Sequence, residues 1–220
     1  MRTAAIAATA VAFAIGLVGV LHMPFARGLL MSAGGCPMAG NRATAAQVET
    51  VRREAMVSVR GTAPAPARPA LGFELDRTTH ADVMAWSTRE HVACEDVRDG
   101  LVHCAQVPAS AVGLDADHVA LSELSLGFDT QGRLVNLTTL RVRLSDDGAA
   151  STLSDIVGRL SAEMGPPHGG SIEQSKLALS SGEGLTSVRY RYRDYIAEVV
   201  AMRASRDGLM LREHYMSARD

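Results

Sequence analysis

The sequence predicts an α+β domain carried on an N-terminal membrane segment, and three observations carry that reading. An uncharged apolar run opens the chain. The hydrophobic period over residues 71–220 alternates between the two of a strand and the 3.6 of a helix. The strand-like runs follow one another through tight Asp- and Gly-containing turns, which implies antiparallel pairing. The expected fold is thus a transmembrane or signal helix, an amphipathic linker helix, and an antiparallel sheet covered by two helices.

With 47% hydrophobic and 21% charged residues in 220 positions, the chain has enough apolar content to bury a core. The net charge of −2 averages two unlike parts: residues 1–70 carry 7 basic against 2 acidic side chains, and the remainder 15 against 22. Neither balance suits a polyanion, so nucleic acid is set aside as a partner. Lys176 is the only Lys among 22 basic residues, which points to a bacterial coding bias and to no chemistry.

Residues 1–26 read as a membrane anchor or signal segment. Ala4 to Leu21 is almost wholly apolar, and no charge occurs from Thr3 to Ala26. A bilayer crossing takes about 20 residues and a cleavable signal core roughly 7–15, so the length lies nearer an uncleaved anchor. Cleavage remains open as the other reading. Ala33-Gly34-Gly35-Cys36 has the small residues of a lipidation site, but about a dozen residues containing Pro24 and Arg27 separate it from the apolar core. Every one of these readings places the rest of the chain outside the cytoplasm.

Residues 27–70 form a juxtamembrane segment. Thr44–Arg60 begins with a Thr-x-x-Gln capping pattern, repeats Val48, Val51, Ala55 and Val59, and meets Gly61, which predicts one amphipathic helix. Three prolines between Gly61 and Ala70 then predict a semi-rigid spacer. The folded domain is expected over residues 71–220. Thr79–Glu90 reads as a short capped helix with Val83 and Trp86 on one face. His91–Val107 reads as a hairpin turning at Arg98-Asp99-Gly100, and Val119–Leu144 as a second turning at Asp129–Gly132. A change of apolar parity between Leu137 and Leu140 predicts a bulge near Thr138 or Thr139. Ser151–Met164 is a helix by its Leu153, Ile156, Val157, Leu160 and Met164 stripe, closed by Gly165-Pro166-Pro167. Leu177–Leu179, Leu185–Tyr192, Tyr195–Met202 and Leu209–Met216 read as strands.

The order helix, strands, helix, strands suggests a duplicated unit, near 72–144 and 150–217. With the pattern Gly72-Phe-Glu-Leu-Asp-Arg-Thr-Thr79 and Asp82-Val83 before one helix, and Leu160 with Gly165-Pro166 after the other, the domain resembles the β-lactamase-inhibitor-like fold. The small outer-membrane-assembly lipoproteins share that look. The first helix lacks the close Gly-x-Pro ending. The resemblance implies an exported binding or assembly module and no particular chemistry.

Two constellations stand out. A reversal centred on Asp99 sets Cys94 opposite Cys104, so a cross-strand disulfide is expected in an oxidising compartment. The alternative is a metal or redox site from His91, Cys94, His103 and Cys104. Strand parity disfavours it, since each histidine projects away from its neighbouring cysteine. The second constellation is Arg189, Arg191 and Arg193, which alternate with Val188, Tyr190 and Tyr192. Period two gives one arginine face and one buried face. That face is either solvated scaffold or a site for an anionic ligand or acidic partner, with Arg141 and Arg143 as extensions. Cys36 is left over, and with His22, Met23 and Met31 it offers a soft-metal set.

Other motifs carry less. His168 lies in a Pro- and Gly-rich loop without any Gly-x-Ser-x-Gly nucleophile turn, and Glu74, Asp82, Glu123 and Asp129 show no acid–base spacing. Asn136-Leu-Thr138 fits a glycosylation sequon inside an expected strand. The function expected is a membrane-tethered binding module of the bacterial envelope, without enzymatic activity or cofactor. An envelope metal-handling or redox protein is the alternative.

Overall fold

The computed structural model describes residues 45–115, 118–182, 184–204 and 208–219. The apolar run at residues 4–21, and Cys36 with its neighbours His22, Met23 and Met31, lie outside them. Among the described residues no helix is long and apolar enough to cross a membrane.

The elements run α1 (Ala45–Val59), α2 (His80–Arg89), β1 (Ala93–Arg98), β2 (Leu101–Val107), a 3-10 turn (Ala109–Val112), β3 (Leu121–Phe128), β4 (Leu134–Leu144), α3 (Asp146–Met164), α4 (Ile172–Ser180), β5 (Leu185–Arg191), β6 (Tyr195–Ala204) and β7 (Gly208–Ser217). Among the described residues all seven strands belong to one antiparallel sheet of order β1-β2-β3-β4-β7-β6-β5, so the α+β class stands. The meanders β2-β3-β4 and β5-β6-β7 meet where their last strands, β4 and β7, pair.

Register places every second residue on one face, and that face is sealed. Val102, Leu126, Leu137, Tyr215, Ala197 and Tyr190 lie side by side across six strands, and each is fully buried. The helices close over such rows. Thr79 caps α2 in a reciprocal box with Asp82, which is why the helix starts there, and Val83 and Trp86 point inward. The Trp86 indole N–H donates to the Ala111 carbonyl, so the 3-10 turn is tied to the same helix. Along α3, Leu153, Ile156, Val157, Leu160 and Met164 are buried, as the 3.6 period requires.

Five expectations are corrected. The run Leu177–Leu179 is helical and not a strand: Ser171 caps α4 by accepting from the Gln174 N–H, and Ser175, Ala178 and Leu179 are buried at helical spacing. A short apolar run alone does not distinguish the two. The helix read as Ser151–Met164 begins at Asp146, because Ser145 supplies its cap. No bulge interrupts Thr138 and Thr139. The buried face continues through Thr139 and Arg141, and the register of β4 shifts elsewhere: against β3 between Leu134 and Asn136, and against β7 between Arg141 and Leu144, with Arg143 at φ 61°. In α1 the expected stripe is docked only at its end: Val51 and Ala55 are exposed and Val59 is half-buried, while Glu49 is buried and Arg52 and Met56 are half-buried. Arg52 holds α1 to the sheet by donating to the Ser217 carbonyl at 2.6 Å and to Glu49.

The last correction concerns the Pro-rich stretch, which is laced onto the domain and is no free spacer. Gly61 N–H donates to the Tyr192 carbonyl, Arg193 N–H to Ala63, Ala65 N–H to the Asp194 carboxylate, and the Tyr195 hydroxyl to Pro69. Proline removes donors but leaves carbonyls, and those carbonyls and the remaining N–H groups pair with the β5–β6 turn.

Candidate functional site

The opposite face of the sheet is not sealed. One row of directly paired residues crosses all seven strands there: Glu95 beside His103, then Ser125, Thr138, His214, Glu198 and Arg189. Each keeps partial or full exposure. The neighbouring row brings Glu123, Leu140, Arg212 and Val200 to the same face. Within it His103 Nε2 lies 3.6 Å from Glu123, and Arg212 lies 3.3 Å from Glu198. His214 is half-buried amid these groups, and burial, with Arg212 acting in the same direction, lowers its imidazole to about 4. At neutral pH it is therefore neutral and able to donate or accept. Half-exposed Met210 and exposed Met202 add apolar surface at one end.

This face escaped the sequence reading because only the register assembles it. Each strand shows an unremarkable polar residue every second place, and no motif marks the row.

Beneath it, on the sealed side, lies a charged cluster that was also missed. Glu213 is fully buried and accepts from Arg141, from the Thr139 hydroxyl at 3.1 Å, from Arg159 of α3 at 3.0 Å, and from the Tyr215 hydroxyl. Burial alone would raise its carboxyl. The two guanidinium groups and the hydrogen bonds from Tyr215 and Arg141 more than offset that and hold it below its ordinary value. The Tyr215 hydroxyl is pushed well above its ordinary value, by burial first and by Glu213 second. A carboxylate locked in its ionised form and fully partnered is unsuited to passing a proton, so this cluster is structural.

Of the sites expected from sequence, Cys94 and Cys104 are brought together: they are directly paired, and their sulfurs stand 2.01 Å apart. His103 projects to the open face while Cys104 is buried on the sealed one, and His91 precedes β1 at φ 55°. Among the described residues no three His, Cys, Asp or Glu side chains converge to hold a metal.

The arginine trio is split. Arg189 and Arg191 are half-buried on the open face of β5, with Val188, Tyr190 and Tyr192 buried as period two requires. Arg193 lies past the strand end, exposed beside a groove lined by Asp194 and Arg219. Arg141 does not extend the arginine face: it is 1% exposed inside the Glu213 cluster, because its strand parity matches Leu137. Arg143 is exposed at the register shift. The His168 loop is no loose segment either. Gly169 pairs with Arg189 along the outer edge of β5, His168 accepts from the Arg191 N–H, and its ring stands edge-on to Tyr192 at 4.8 Å.

The chain matches no protein-family model, no curated protein and no solved structure. The likeness to the β-lactamase-inhibitor-like fold rests on the residues quoted for it alone.

Proposed function

We propose that this protein is a membrane-tethered binding or assembly module of the bacterial cell envelope, without enzymatic activity, whose contact surface is the open face of its sheet. One observation carries the reading: a seven-stranded sheet has one face sealed by helices and the other bearing a continuous, partly exposed row from Glu95 to Arg189. A sheet that needs only one buried face leaves the second available for recognition. The apolar run at residues 4–21 supplies the tether, as an inner-membrane anchor or, if cleaved, an export signal. Cys94 and Cys104 at disulfide distance suit the oxidising periplasm. The duplicated unit belongs to the same reading, with two helix-plus-meander halves joined at β4 and β7 to widen one surface. Arg189 and Arg191 give the β5 end of the face positive charge for an acidic partner or anionic ligand, and Arg193 stands apart at the nearby turn.

Photo-crosslinking amino acids placed in living cells test the surface. Substituted at His103 or Val200 on the open face, they should yield adducts. At Lys176, exposed on α4, they should not. Equal yields from both sides, or none from the open face, would remove the sheet face as the contact surface. Alkaline carbonate extraction tests the tether: the protein should stay in the membrane pellet and begin before residue 25.

A further inference from the structure

We infer that the open face takes a second copy of this chain, stacked face to face about a twofold axis parallel to β4. The inference rests on the reading of that face as a contact surface and names its occupant. Seven strands have a middle one. The order puts β4 there, with β3, β2 and β1 on one side and β7, β6 and β5 on the other. A twofold along β4 lays β3 over β7, β2 over β6 and β1 over β5 of the second copy.

The side chains then meet with opposite character. In the row through Thr138, that residue meets itself, Ser125 meets His214, His103 meets Glu198, and Glu95 meets Arg189. In the next row Leu140 meets itself, Glu123 meets Arg212, and Ala105 meets Val200. Every acidic side chain of these two rows lands on Arg or His, and within them no two like charges meet; in the row through Asn136 the outermost strands lay Arg98 over Arg191. Each pairing of unlike residues occurs twice, and the Thr138 and Leu140 self-contacts once on the axis, as an isologous interface demands. The other in-plane twofold, across the strands, lays β1 over β1 and sets the Glu95 and Glu123 end against itself.

Two further arguments agree. Within one copy His103 pairs with Glu123 and Arg212 with Glu198. The twofold stacks these two pairs in reversed order, so two carboxylates, a guanidinium and an imidazole of the two copies close into a network, which contributes more than isolated exposed pairs. Sheets that stack face to face turn about 30° from one another, which leaves the pairs nearest β4 in register and loosens the outer Glu95 and Arg189. Glu123, Arg212, His103 and Glu198 therefore carry the contact. Seven strands at about 4.8 Å spacing and roughly six residues of each give about 600 Å² per copy, or about 1,200 Å² in all. That is the lower range of specific interfaces.

The test uses the full chain, purified in detergent micelles, with Cys36→Ser to keep the third cysteine out of the crosslinking. Sedimentation at low ionic strength should show a dimer that dissociates as salt rises. Glu123→Arg and Arg212→Glu should each weaken self-association at least tenfold while the fold, read by circular dichroism, is kept. Mixing the two variants should restore association, because each supplies the charge the other needs. In membranes, Thr138→Cys lies on the axis and a short bismaleimide should link it to itself, whereas Lys176→Cys should not be linked. A monomer at all salt concentrations, or two variants whose mixture stays monomeric, overturns the second copy as occupant. So does a Thr138 adduct only to a different protein, and that result leaves the contact-surface reading in place. Absence of any adduct from the open face removes both.

Discussion

Arg141 on β4 and Glu213 on β7 form an ion pair inside the sheet's sealed layer, with 1% and 0% of their side chains exposed. Two charges withdrawn from water persist there because nearly every polar atom is used. Arg141 also donates to the Val119 carbonyl, and Glu213 gathers Thr139, Arg159 and Tyr215. The pair joins the last strands of the two meanders, and Arg159 brings α3 onto the same carboxylate. The cluster thus fixes how the two halves and their covering helix register.

Glu213→Gln should destabilise the protein by about 3–5 kcal/mol, because removing one partner leaves the Arg141 guanidinium buried without its counter-charge. The double variant Glu213→Leu with Arg141→Met should lose less than Glu213→Gln alone. Urea denaturation of the three proteins measures both. The carboxyl's folded pKa lies below its unfolded one, so its stabilisation is present above about pH 4.3 and is lost as pH falls through the folded value.

That cluster also marks where the sequence stopped being legible. The hairpin with Cys94 opposite Cys104, the capped α2 and the stripe of α3 were readable because their signals are local: turn residues, a capping box, a period. Arg141 was misread because alternation was followed through apolar residues alone, and the buried side of β4 continues with Thr139 and Arg141. Leu177–Leu179 was misread because three apolar residues fit either period, and Ser171 as a cap decides the matter. The polar row from Glu95 to Arg189 is a property of register between seven strands, and no stretch of the chain contains it. The position of α1 depends on Arg52 reaching Ser217, a contact across 165 positions of sequence.

His214 should make the fold sensitive to mild acid. Its imidazole is held at about 4 when folded, against an ordinary value of about 6.5. The stabilisation is complete above the unfolded value and is lost as pH falls toward the folded one, by about 2–3 kcal/mol near pH 4.5. His214→Gln should remove that part of the pH dependence. Denaturation midpoints of the two proteins at pH 7 and pH 4.5 should therefore converge at the lower pH, and parallel behaviour would count against it.

Reduction of the Cys94–Cys104 link should lower the melting temperature. A loop closed over a sequence separation of 10 contributes about 2–3 kcal/mol in the chain-entropy account. The effect should be local, since β1 is an edge strand whose remaining support is β2 and α2. Amide exchange should rise in β1 before it rises in β4 or β7. Material from the periplasm with both thiols free by mass spectrometry would oppose the assignment.

The Pro-rich segment offers the sharpest local test, at Gly61. Its N–H donates to the Tyr192 carbonyl, and a Cβ at this position would run into the Arg191 carbonyl, which is fixed backbone. Gly61→Ala must therefore shift either the segment or the β5–β6 turn. Neither moves freely, because Ala63, Ala65 and Pro69 are bonded in sequence to Arg193, Asp194 and Tyr195. The expected cost is about 1–3 kcal/mol, in the usual range for a backbone clash. Amide protection should fall at Gly61, Ala65 and Arg193 and persist at Leu137 and Tyr215, which sit in the central pairing of β4 with β7. A variant with unchanged stability and unchanged protection at those three amides would return residues 61–70 to the status of a spacer. Loss confined to them would show that the segment is a strap, so that the folded domain begins at α1 and not at residue 71.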